Sequence, residues 1–175
     1  DFTLSSAVAA GLVDNSTLET LGVDSLFNGP AWQEMLKNNH SLKTLSFANC
    51  TIPVEGFQSL ARGLSCNSSL ETLDLSLTGM GDSSVIALVD GLRINKTLKC
   101  LNLSYNNALS QSGRDAIERL LGYKVLRELI LAHTSDSIGA SILNSNLSDN
   151  HSLEKLDLDT AFVDSEGSRN LPCSL

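Results

Sequence analysis

The chain repeats itself. Six segments fall into one register: Leu18-Glu-Thr-Leu21-Gly-Val23, Leu42-Lys-Thr-Leu45-Ser-Phe47, Leu70-Glu-Thr-Leu73-Asp-Leu75, Leu98-Lys-Cys-Leu101-Asn-Leu103, Leu126-Arg-Glu-Leu129-Ile-Leu131 and Leu153-Glu-Lys-Leu156-Asp-Leu158. Their leading leucines are 24, 28, 28, 28 and 27 residues apart. A period of that length marks a stacked array, because one unit cannot bury its apolar face alone and needs its neighbours to do so. Within each segment the last two apolar residues are two apart, the spacing of a strand with one buried face. The leucine excess has its cause here, since 16 of the 32 leucines in 175 residues lie in these segments.

The other half of each unit reads as a helix. A closing Asn or Lys (Asn15, Asn39, Asn67, Asn95, Lys124, Asn150) follows Leu12, Leu36, Leu64, Leu92, Leu121 and Leu147 by three residues. Four residues before those leucines stand Val8, Trp32, Leu60, Leu88, Ile117 and Leu143, and Phe57 and Val85 extend two of the stripes by a turn. That is one apolar helical face. Asn28-Gly29-Pro30 supplies a start signal, with Pro in a first-turn position. Three residues past the last strand leucine, Cys50, Thr78, Asn106 and Thr134 are small side chains able to hydrogen-bond the turn that leaves the strand. The outer copies depart from this, with Leu26 and Ala161.

The unit is strand, turn, helix, turn. Its pattern, LxxLxLxx(N/C/T) followed by GxxxLxxxLxxN, resembles the ribonuclease-inhibitor-like class of leucine-rich repeats, which also covers NOD-like receptor, Ran GTPase-activating protein and tropomodulin repeat domains. The resemblance implies an α/β fold: a right-handed β-α solenoid curved into a horseshoe arc. Parallel strands stack at about 4.8 Å while packed helices need about 8–10 Å, so the sheet takes the concave side. We expect one domain over 1–175, with a leading half-repeat at 1–15 and repeats at about 16–39, 40–67, 68–95, 96–124, 125–150 and 151–175. Both ends read as cut from a longer arc.

Charge narrows the partners. With 12 Lys+Arg against 20 Asp+Glu the formal net charge is −8. Phosphate-binding surfaces need clustered cations, and no such cluster occurs, so nucleic acid is not expected. No apolar run approaches the length of a membrane span. Cys50, Cys66, Cys100 and Cys173 show no metal-ligand or disulfide-framework spacing and read as four reduced thiols. Eight sequons occur, at Asn15, Asn39, Asn49, Asn67, Asn95, Asn102, Asn146 and Asn150, but five of them are the closing Asn followed by the Ser/Thr that leads into a strand. Repeat grammar explains them, and an intracellular location is expected over a secreted one. Nucleotide-binding, hydrolase and zinc-protease motifs are absent from the sequence, and Gly79-Met80-Gly81 reads as turn chemistry.

The residues between the buried leucines form columns on the concave face. One reads Gly22, Ser46, Asp74, Asn102, Ile130, Asp157, and the next Asp24, Ala48, Ser76, Ser104, Ala132, Asp159. With Tyr105, Glu128 and His133, the residues Asp24, Asp74, Asn102, Ile130, Asp157 and Asp159 make up the candidate protein-binding surface. His133 falls where Tyr105 stacks one repeat earlier. A third column, Glu19, Lys43, Glu71, Lys99, Arg127, Glu154, suits cross-strand ion pairs, above all Arg127 with Glu154, and Glu128 with Lys155. The expected function is a non-enzymatic recognition or scaffold module without cofactor or metal, whose protein partner is favoured by basic patches. The resemblance leaves two alternatives: a GTPase-activating protein like the Ran activator, and an extracellular receptor fragment.

Overall fold

The computed structural model describes residues 2–24, 27–106, 109–134, 147 and 149–158. Helices and strands alternate: α1 Phe2–Leu12, β1 Thr20–Gly22, α2 Gly29–Asn38, β2 Thr44–Ser46, α3 Val54–Cys66, β3 Thr72–Asp74, α4 Asp82–Leu92, β4 Cys100–Asn102, α5 Gln111–Gly122, β5 Glu128–Ile130 and β6 Lys155–Asp157. The strands form one parallel sheet in the order of the sequence. Its register runs Leu21, Leu45, Leu73, Leu101, Leu129, Leu156 straight across the sheet. This is the solenoid that the repeat demanded. Leu26, Ala161, Leu143, Asn146, Cys173 and Asp159 lie outside the described residues.

The core lies between sheet and helices. Leu42, Leu45, Leu70, Leu73, Leu98, Leu101 and Leu129 face Trp32, Leu36, Phe57, Leu60, Leu64, Val85, Leu88 and Ile117, all 2% exposed or less. Each such side chain contributes roughly 1.5–3 kcal/mol of burial. The short first interval, 24 residues instead of 28, is filled by aromatics. Phe27 and Trp32 both meet Phe47 edge-on, with centroids 5.1 and 4.8 Å away, and Trp32 Nε1 donates to Ser5 Oγ at 2.9 Å. Helices α3 and α4 approach through Gly91, where a Cβ would stand 2.5 Å from the carbonyl oxygen of Ala61. Only a residue without one fits.

Closing asparagines bind the units together at the opposite turn. Asn67 Nδ2 donates to the carbonyls of Leu36 and Asn39 (2.6 and 3.2 Å), and its Oδ1 accepts from the N–H groups of Ser69 and Leu70 (3.0 and 2.7 Å). Asn39 and Asn95 repeat all four bonds one unit earlier and one unit later. Lys124 breaks the ladder. It stands two residues before its leucine rather than three, adopts a left-handed φ of 54°, and has no carboxamide. A small void beside Leu92, Asn95, Leu98, Leu120 and Tyr123 marks the gap.

The ladder also settles the sequons at Asn39, Asn67 and Asn95, whose side chains are buried structural amides. Cys50 and Cys66 are reduced thiols, as expected. Cys100 is disulfide-bonded, which corrects the expectation of a reduced thiol there.

Candidate interaction surface

The strand residues that flank each core leucine point away from the helices. Asp74, Asn102 and Ile130, expected on an open concave surface, are only 6, 8 and 2% exposed. The first two have structural work. Asp74 Oδ1 accepts from the Ser76 N–H at 2.9 Å, and Asn102 Oδ1 accepts from the Ser104 N–H at 3.0 Å and its hydroxyl at 2.6 Å. Ser46 Oγ accepts from the Ala48 N–H at 3.2 Å in the same way. This column caps the turn leaving each strand, the local i to i+2 bond that Asp, Asn and Ser favour. The sequence carries the signal, a small polar residue between the last two apolar positions. Asp24 is exposed just past β1, Asp157 is partly buried at the end of β6, and Glu128 is partly buried on β5.

At the start of the strands lies a charged row. Lys99 pairs with Glu71, Arg127 with Glu154 at 3.5 Å, and Lys155 with Glu128, so both expected pairs form. The Lys99 ammonium donates to the Glu71 carboxylate and holds its pKa below the usual value. Apart from the partly buried Glu128 these partners are largely solvated, and pairs of this kind add little to stability. They neutralise one another, so the row offers a partner little unbalanced charge.

The strand-exit rim is different. The second residue past the last core position in four successive units, Asn49, Leu77, Tyr105 and His133, has φ of 64, 54, 60 and 53°. The geometry is enforced by backbone bonds: the N–H of Asn49 donates to the Ser76 carbonyl, that of Leu77 to Ser104 and that of Tyr105 to Ala132, each at 2.9 Å. Asn and His are enriched in the left-handed region; Leu and Tyr adopt it at a cost of roughly 1–2 kcal/mol each. None of the three is buried in return. Leu77 is 53% and Tyr105 40% exposed, and His133 is intermediate. Tyr105 and His133 stack with centroids 4.8 Å apart and planes 16° from parallel, as their shared register predicted. Leu77 extends that pair to three adjacent units, and sequence reasoning missed it. The clue was its place two residues beyond Leu75.

Beneath the rim, Thr78 Oγ1 and Asn106 Nδ2 both donate to the Leu75 carbonyl, at 2.8 and 2.9 Å, and Thr134 Oγ1 donates to Leu131. Cys50 Sγ reaches the Val23 carbonyl at 3.1 Å. These four side chains form the polar ladder expected at that position, and they fix the turns that present the rim. Farther along, Asp82 accepts from the N–H groups of Ser110 and Gly113 (2.9 and 3.1 Å) and from the Ser110 hydroxyl, tying the start of α4 to that of α5. Those bonds, the Ser110 hydroxyl first, lower the Asp82 pKa. Among the described residues, no three His, Cys, Asp or Glu side chains gather as metal ligands, and no helix is long and apolar enough to cross a membrane.

A family model described as Leucine Rich repeat matches residues 38–61, 66–89 and 95–117. No curated protein matches the chain. Among solved structures, the tropomodulin C-terminal domain of Caenorhabditis elegans is similar in fold, with a TM-score of 0.64 at 10% identity over 79% of this chain and 89% of that one. A domain titled Leiomodin-1 Actin-Binding Site 2 gives a TM-score of 0.67 at 19% identity, over 85% of this chain and 88% of that one. The register of the sheet, the asparagine ladder and these matches lead to one conclusion: the chain folds as a leucine-rich-repeat solenoid, and its repeats resemble those of the ribonuclease-inhibitor-like class.

Proposed function

We propose that the chain is a non-enzymatic protein–protein interaction module that works inside the cell and meets its partner along the strand-exit rim. The observation that carries this reading is the row Leu77, Tyr105, His133: three bulky side chains on a left-handed backbone, the first two exposed and the third partly so. Strain without burial in return is a mark of function. Tyr is also among the residues that dominate binding energy at interfaces.

Actin is the partner to test first, because a domain of the same fold is titled as an actin-binding site. Monomeric actin titrated into the fluorescently labelled chain is expected to give a saturable anisotropy change. A flat titration with folded protein refutes actin as the partner. No observation favours the GTPase-activating alternative.

A further inference from the structure

Two properties of the rim restrict what covers it. The first is spacing. Rim side chains step from unit to unit by the distance between parallel strands, about 4.8 Å, and the Tyr105 and His133 rings stand 4.8 Å apart. An extended peptide lying across them presents same-face side chains about 6.6–6.8 Å apart, out of step within two units. A helix rises about 5.4 Å per turn, so its residues i, i+4 and i+7 span about 10.5 Å, close to the three rim positions.

The second property is charge. Near the strand exits the described residues carry Asp24, Asp74, Asp82 and Asp157, with no Lys or Arg in 22–24, 27–28, 46–53, 74–82, 102–106, 109–110, 130–134 or 157–158. The strand-entry row is mixed and self-paired by contrast. The field at the rim is therefore mainly negative, with Arg114 at the start of α5 the cation that reaches Asp82, within a chain of net charge −8. A segment flanked by cations is attracted to it, and one flanked by carboxylates is repelled.

From spacing and charge together we infer that the rim docks an amphipathic helix of a partner protein, its aliphatic ridge on Leu77, Tyr105 and His133 and its flanks rich in Lys and Arg. This deepens the interaction reading above and rests on it. The probe is an 18-residue stapled helical peptide, about 27 Å long, with Leu along one ridge and Lys on both flanks, titrated into the full chain and read by chemical-shift changes and calorimetry.

Saturable binding is expected, with shifts centred on residues 77, 105 and 133. The triple variant Leu77→Asn, Tyr105→Asn, His133→Asn suits the left-handed backbone, so it stays folded by circular dichroism and melts no lower. It is expected to bind the peptide at least roughly tenfold more weakly, since truncated anchor residues cost more than about 1.4 kcal/mol. A Glu-flanked ridge peptide is expected to lose as much. Absence of binding by the Lys-flanked helix overturns the inference, as does equal affinity for the triple variant or equal binding by an alternating, strand-forming peptide. Actin binding is scored separately, so a failed actin titration beside a bound peptide refutes the choice of partner and leaves the helix-docking inference standing.

Discussion

Replacing Asn67 by Ala removes one side chain and leaves three backbone groups without their partner, the carbonyl of Leu36 and the N–H groups of Ser69 and Leu70. The carbonyl of Asn39 loses one donor and keeps the Ser69 hydroxyl at 3.3 Å. The site is closed to water, Asn67 being 6% exposed, so each orphaned group costs about 1–3 kcal/mol. Even at the low end the three together reach roughly 3 kcal/mol. For a chain of this length that lowers the melting temperature by about 6–12 °C. The same change at Asn15 is a built-in control. Its Oδ1 accepts from the N–H groups of Thr17 and Leu18 at 3.1 and 2.8 Å, in an exposed turn, and its loss should cost about 1 kcal/mol, the value of an ordinary cap. Urea unfolding of both variants followed by circular dichroism measures the difference. If Asn67→Ala is no more destabilising than Asn15→Ala, the ladder does not hold the units together and this reasoning fails.

Other changes have definite signs. Leu77→Asn removes left-handed strain from an exposed residue and should raise stability by roughly 1 kcal/mol in the same urea assay, despite the loss of an aliphatic side chain. Gly91→Ala pushes a methyl into the Ala61 backbone and should cost about 1–3 kcal/mol, read as a lowered melting temperature. The Ser110 hydroxyl and N–H hold the folded pKa of the Asp82 carboxyl below its ordinary value of 3.8. Its contribution is therefore present above that value and lost as pH falls through the folded pKa. Ser110→Ala removes its largest cause, so thermal melts between about pH 5 and 2 should show a shallower loss of stability for the variant than for the parent chain.

Much of the architecture was legible because it depends on pattern alone. Leucines at 18, 42, 70, 98, 126 and 153 specify strand register, and the Leu36, Leu64 and Leu92 stripes specify the helices, without reference to any single contact. Exceptions to the pattern were harder to read. At Lys124 the helix frame and the strand frame disagree by one residue, and only the backbone shows how the chain absorbs it, with a left-handed turn and a void. Asp74 and Asn102 looked like surface chemistry because polar side chains between buried leucines point toward solvent in an open sheet. Their role as turn caps depends on a local bond to the second residue along, and that bond competes with exposure. Tyr105 and His133 were found by register. Leu77 was not, because a leucine in a leucine-rich chain raises no suspicion until its φ of 54° is seen beside its exposure.

The strand-exit rim is the proposed binding surface. Hydroxyl-radical footprinting of the chain with and without saturating monomeric actin tests it directly. Leu4 and Ile94, 59% and 60% exposed, lie away from the rim, on α1 and after α4, and serve as internal references. Oxidation of Leu77, Tyr105 and His133 is expected to fall while that of Leu4 and Ile94 is unchanged. Actin that binds the chain yet leaves Leu77, Tyr105 and His133 as reactive as before would contradict it.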